Sequence, residues 1–134
     1  MAKKNLVYNL DKSVGKKGAN QPDDVLLVRF FLRRLSEIPH LNSPYKNLPI
    51  VTSFDNNLHD AILWFQKPVK AMGKSITADG QVDPAPKGDG LYTIVFMNGN
   101  YWKYFPKYKH YIEADPLFPH ELIEPLNSKM PVYA

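Results

Sequence analysis

Between Asp24 and Leu35 the chain reads DVLLVRFFLRRL, and this stretch limits the possible folds more than any other. Val25, Val28, Phe31, Leu32 and Leu35 recur at helical spacing and define one face. Leu26 and Phe30, with Arg33 or Arg34, lie on another. A helix that is apolar on more than one side has to be covered by more than one layer. Asn20 or Gln21 is placed to cap it, Pro22 suits its first turn, and Asp23 and Asp24 suit its positive end. Pro39 stops it near Ile38, because the residue before a proline is pushed out of the helical region. Two covers for the second stripe are open. A later segment of the same chain can lie over Leu26 and Phe30, or these two residues can form a surface for a partner protein.

The rest of the chain supplies two more helical patterns and much loop. FDNNLHDAILWFQK places Leu58, Ala61, Ile62 and Phe65 at i, i+3, i+4 and i+7, with Asp55 or Asn56 as cap and Pro68 as the expected end. Trp64 sits off that stripe. Residues 40–53 read as a loop with a short extended piece at Ile50–Thr52, and residues 70–90 read as loop throughout. LYTIVFMNGNYWKYFP supports two structures. Asn98-Gly99 between apolar runs is a hairpin signal. Leu91, Ile94, Val95, Asn98, Tyr101, Trp102 and Phe105 also follow a helical stripe. Residues 106–134 hold five of the twelve prolines, so no long helix fits there. They also hold Tyr108, Tyr111, Ile112, Leu117, Phe118, Leu122, Ile123 and Leu126, too much apolar surface for a solvated tail. This segment is the candidate cover for Leu26 and Phe30.

With 134 residues the chain fits one domain with a core of its own. It divides into a lead-in (1–12), a helical domain (13–105) and a C-terminal extension (106–134). The absence of cysteine removes disulfides, thiolate metal sites and cysteine nucleophiles. The net charge of +4 reads as a mildly basic surface. Lys3, Lys4, Lys12, Lys16 and Lys17 cluster early, and Lys103, Lys107 and Lys109 cluster late beside Tyr101, Trp102 and Tyr104. This does not amount to a nucleic-acid surface. No apolar run spans a membrane and none has signal-peptide length, so synthesis is expected in the cytoplasm, with any export by a signal-independent route.

Catalytic and metal chemistry find little support. His40, His59, His110 and His120 include no pair at metal-ligand spacing on one helix. Ser13, Ser36, Ser43, Ser53, Ser75 and Ser128 sit in no nucleophile elbow. In ADGQVDP, Asp79, Gln81 and Asp83 alternate like the first ligands of a calcium loop. Pro84 then stands where that loop needs its glycine, and Gly90 where it needs its glutamate. Asp79-Gly80 instead reads as a tight turn, with the aspartate bonding backbone and Gly80 at positive φ. No enzyme activity, metal or cofactor is expected.

The order of motifs resembles the peptidoglycan-binding domain family, small three-helix modules often attached to cell-wall hydrolases. Val14-Gly15, Asn20, Pro22, Asp24-Val25, Leu27-Val28, Leu32, Ala61-Ile62, Phe65-Gln66, Asp79-Gly80, Val82 and Asp83-Pro84 carry the resemblance, which covers roughly residues 13–98. It implies a mainly α fold, a small three-helix bundle with long loops and a proline-rich C-terminal extension packed on it. LYTIVFMN then becomes the third helix, ending near Asn98 or Tyr104. The implied function is non-catalytic binding of peptidoglycan in a groove between the second helix and the DGQVDP loop. Asp55, Asn57, Trp64, Gln66 and Asp79 are the expected ligand contacts. The family's DGxxGxxT turn before the second helix has no counterpart in VTSFDNNLHDAI. Stand-alone proteins with the opening SVGxxGxNxPxDVxLV also resemble accessory proteins of type VI secretion and related contractile injection systems. That implies an alternative role, a protein-interaction component that keeps the fold without wall binding.

Overall fold

The computed structural model describes residues 6–73, 76–86, 92–108, 111–124 and 132–133. Lys3, Lys4, Ser75, Leu91, Lys109, His110, Leu126 and Ser128, which figure in the sequence reading, lie outside them. Three helices carry the fold: α1 (Pro22–Leu35), α2 (Asn56–Ala71) and α3 (Thr93–Tyr104). Leu6–Val7 (β1) and Val132–Tyr133 (β2) form a two-residue antiparallel pair, with Leu6 opposite Tyr133 and Val7 opposite Val132. Single 3₁₀ turns lie at Pro39–Leu41, Pro106–Tyr108, Ile112–Ala114 and His120–Leu122. The protein is a mainly α three-helix bundle with long loops. Among the described residues no helix is long and apolar enough to cross a membrane.

α1 is the central element, as its two apolar stripes require. Every residue from Asp24 to Leu32 is buried, and Phe30 has 0% of its surface exposed. Its ring meets Phe31 at 5.6 Å, Tyr101 of α3 at 5.5 Å, and Phe118 edge-on at 5.2 Å. Leu26 is 2% exposed. These two residues are therefore no surface for a partner. The chain covers Phe30 itself, with one ring from α3 and one from the segment after residue 106.

Several boundaries differ from the sequence reading. α1 ends at Leu35 rather than Ile38, because Glu37 and Ile38 bond back only three residues, to Arg34 and Leu35. That tightened turn sets Ile38 in the extended conformation that Pro39 demands. α2 runs through Pro68 to Ala71, and Pro68 does not end it. Proline costs the helix its bond to the Trp64 carbonyl, but the chain continues because Val69 is buried beyond it and Met72 N–H bonds the Pro68 carbonyl at 3.1 Å. Of the two structures open for LYTIVFMNGNYWKYFP the helix forms: Asn98-Gly99 lies within α3, which ends at Tyr104 as expected. The Asn98 side chain is fully buried and holds the N-terminal segment: it accepts from Tyr8 N–H at 2.9 Å and donates to the Tyr8 carbonyl at 3.1 Å. Gly99 faces open space.

Polar side chains stitch the loops to this bundle. Asn9 pairs with both backbone groups of Ala85, at 2.8 and 2.9 Å. The buried Asp24 carboxylate accepts from Asp11 and Lys12 N–H, both at 3.0 Å. Residues 8–12 are thus fastened to α1 and α3. Arg29, 1% exposed, donates to the Ser53 carbonyl at 2.7 and 3.1 Å and to the Pro49 carbonyl at 3.1 Å. At the far end of α1, Asp115 accepts from Arg34, from the Tyr101 hydroxyl at 2.7 Å and from Leu117 N–H at 2.9 Å. Burial works to lower the Arg34 pKa, but its bonds to Asp115 and Glu37 outweigh that and raise it.

Candidate functional site

The DGQVD loop is built as a rigid rim. Ile76 is buried and anchors it. The Asp79 carboxylate accepts from Gln81 N–H at 3.0 Å, which closes a tight turn with Gly80 at φ +75°. A Cβ at Gly80 would run into the His59 ring of α2, so the position needs glycine for both conformation and space. Val82 pairs with Val14 through two backbone hydrogen bonds, at 2.8 and 2.9 Å. Asp83 accepts from the Ser13 hydroxyl at 2.6 Å and from the Gln81 amide at 2.9 Å.

Gln66 is the clamp. It is 0% exposed, and its amide accepts from Gly80 N–H at 2.8 Å and donates to the Gln81 carbonyl at 2.9 Å and the Thr93 hydroxyl at 3.1 Å. One side chain on α2 therefore fixes the loop and the first turn of α3 together. Replacing Gln66 with leucine is expected to cost about 2 kcal/mol, because the loop's backbone groups lose their buried partners. A urea titration with an unchanged slope and a lowered midpoint is the expected reading.

A cleft of about 320 Å³ opens between this loop and the start of α3. Its walls are Thr77, Asp79, Gln81, Asp83, Tyr92 and Thr93, over Ile76. The lining carries hydroxyls, an amide, two carboxylates and one aromatic ring. It suits a ligand rich in amides and hydroxyls, oriented by a few fixed polar groups.

The five expected ligand residues do not share one site. Only Asp79 lines this cleft. Asp55 caps α2, accepting from Leu58 N–H at 2.8 Å, and lies 3.3 Å from the Arg29 guanidinium. Asn57 is exposed in the first turn of α2. Gln66 is enclosed by the loop it holds. Trp64 lies about 160° around α2 from Gln66 at 3.6 residues per turn. It borders a second cleft of about 470 Å³ with Tyr45, Asp60, Leu63, Lys67 and Pro68. The groove expected between α2 and the DGQVDP loop is filled by Gln66 and His59. The open space lies on the loop's other side, against α3. Thr77, Gln81, Asp83, Tyr92 and Thr93 were the wall residues to find. The signal for them was their nearness in sequence to Asp79 or to the start of α3.

Among the described residues no group of three His, Cys, Asp or Glu side chains is placed to hold a metal ion. Tyr101, one of the aromatics beside the late lysines, is buried and has no ring face for a base. No family model, curated protein or solved structure matches this chain.

Proposed function

We propose that this protein is a non-catalytic binding module that takes a segment of cell-wall peptidoglycan in the cleft between the DGQVD loop and α3. The cleft's lining carries this reading: hydroxyl, amide and carboxylate groups beside the Tyr92 ring suit the amides and hydroxyls of a glycopeptide. Pre-organisation supports it further. Gln66, Asp79 and Ser13 hold the rim in place, so a ligand would not have to order it.

Co-sedimentation with purified sacculi tests the reading. The native protein is expected in the pellet at low and at moderate salt. Thr77→Ala with Tyr92→Ala is expected to bind about tenfold more weakly, from two lost contacts. Trp64→Ala, on the other cleft, is expected to bind as the native protein does. Native protein left in the supernatant at low salt would sink the reading. So would binding that vanishes with salt equally in all three, since that is unspecific charge attraction.

A second reading is a protein-interaction component of a type VI secretion or contractile injection system. It is favoured by the aromatic cleft beside Trp64, which the wall reading leaves without a role.

A further inference from the structure

α2 carries a second stripe. Asp60, Leu63, Trp64, Lys67 and Pro68 fall at i, i+3, i+4, i+7 and i+8, beside the core stripe of Leu58, Ala61, Ile62, Phe65 and Val69. Tyr45 faces this second stripe from the loop before α2, and the two rings meet at 6.0 Å and 61°. The loop that presents Tyr45 is fixed. Tyr45 N–H donates to the Ser43 hydroxyl at 3.0 Å, and Ser43 donates to the buried Ser36 hydroxyl at 2.8 Å. The Tyr45 carbonyl accepts from Leu48 N–H at 3.0 Å, and Leu48 is core. Two half-buried aromatic rings are thus held at a steep angle over Leu63 and Pro68, with a carboxylate and an ammonium on the same wall.

We propose that this notch binds a short extended protein segment, seating a proline ring in the angle that the touching Tyr45 and Trp64 rings make, with a basic residue toward Asp60 and an acidic one toward Lys67. The donor and acceptor inventory selects this occupant. The Tyr45 hydroxyl and the Trp64 indole N–H are donors carried by this lining. A proline segment offers carbonyls and no N–H at its prolines, so it meets those donors and loses nothing against the apolar wall. A sugar ring would bury hydroxyls that need acceptors, and Asp60 is the single carboxylate in the lining. The Asp60 charge reaches the notch: burial, then Asp60, raises the Tyr45 pKa. Spacing fixes the motif. Seven residues along α2 separate Asp60 from Lys67 by about 10 Å. A polyproline II segment advances roughly 3.1 Å per residue, so the two charges sit three residues apart.

Isothermal titration with acetylated, amidated hexapeptides tests this. The cores are Arg-Pro-Pro-Glu, Glu-Pro-Pro-Arg, Arg-Ala-Ala-Glu and Arg-Pro-Pro-Arg. One of the first two is expected to bind in the high-micromolar to low-millimolar range, with the Ala-Ala core at least tenfold weaker. Asp60→Asn, an exposed change with no bearing on folding, is expected to weaken it severalfold. Lys67→Glu is expected to shift preference to Arg-Pro-Pro-Arg. Trp64→Ala, checked for native circular dichroism, is expected to abolish binding. The proposal is overturned if no peptide binds, or if binding ignores Asp60→Asn and Lys67→Glu. It is also overturned if an N-acetylglucosamine tetramer moves the Trp64 indole resonance and the peptides do not. The inference stands apart from the DGQVD cleft, since sacculus binding and peptide binding are read with separate ligands and separate variants.

Discussion

Replacing Asp115 with alanine is expected to destabilise the protein by about 3–5 kcal/mol, the cost of breaking a buried charge pair by removing one partner. The Asp115 side chain is 0% exposed and Arg34 only 16%. The carboxylate takes Arg34 Nε at 2.9 Å, Arg34 Nη2, the Tyr101 hydroxyl at 2.7 Å and Leu117 N–H at 2.9 Å. Alanine leaves a guanidinium wedged against the Phe105 ring, 5.2 Å away, with Glu37 as its remaining anion. It also orphans a buried hydroxyl. At roughly 4 °C per kcal/mol for a chain of this size, Tm is expected to fall by about 12–20 °C. Tyr101→Phe keeps the ion pair and removes one hydrogen bond, so about 1 kcal/mol is expected. A loss for Asp115→Ala no larger than that for Tyr101→Phe would mean that Arg34 is already solvated.

The same network carries an alkaline signature. Burial first, and then the bond to Asp115, raise the Tyr101 pKa above its ordinary value. A raised folded pKa gives stability that is fully present below the unfolded value, near 10, and is lost as pH climbs through the folded one. Stability is therefore expected to decline above about pH 10, and to decline less steeply in Tyr101→Phe.

Local periodicity made the helices legible, because each helix buries residues that are close in sequence. Val25, Val28, Phe31, Leu32 and Leu35 announced α1, and Leu26 with Phe30 announced that a second layer had to lie on it. The C-terminal segment was identifiable as that layer from its apolar content. What stayed hidden depends on partners far apart in the chain. Asp115 is one aspartate before a proline until the fold brings Arg34 to it from 81 residues away. Arg29 carries no signal of its own in the apolar run, yet its fork reads the carbonyls of Pro49 and Ser53. Gln66 stood out in Phe65-Gln66, and its placement beside the DGQVD loop was anticipated. Its role was not, because a side chain that clamps a loop and one that meets a ligand have the same composition. The groove expected between α2 and the loop disappeared for that reason. At Asn98-Gly99 periodicity and the hairpin signal left helix and hairpin open, because what settles the helix there includes a distant partner: the Asn98 side chain holds the Tyr8 backbone from within α3.

Phe30→Ala is the second large effect, expected at about 3–5 kcal/mol from lost transfer energy and the cavity left behind. The residue decides between two accounts of α1. Were Phe30 on an open face, truncation would change stability by no more than about 0.5 kcal/mol. Its 0% exposure and its ring contacts with Phe31, Tyr101 and Phe118 place it in the core. A cycle with Phe118→Ala tests whether the segment after residue 106 belongs to that core. An edge-to-face pair at 5.2 Å is expected to show coupling of about 0.5–1.5 kcal/mol. Full coupling means that the three helices are incomplete alone and that the proline-rich extension is their last layer. Strict additivity, together with a small effect of Phe30→Ala, would return Leu26 and Phe30 to the surface and reopen α1 as a face for a partner.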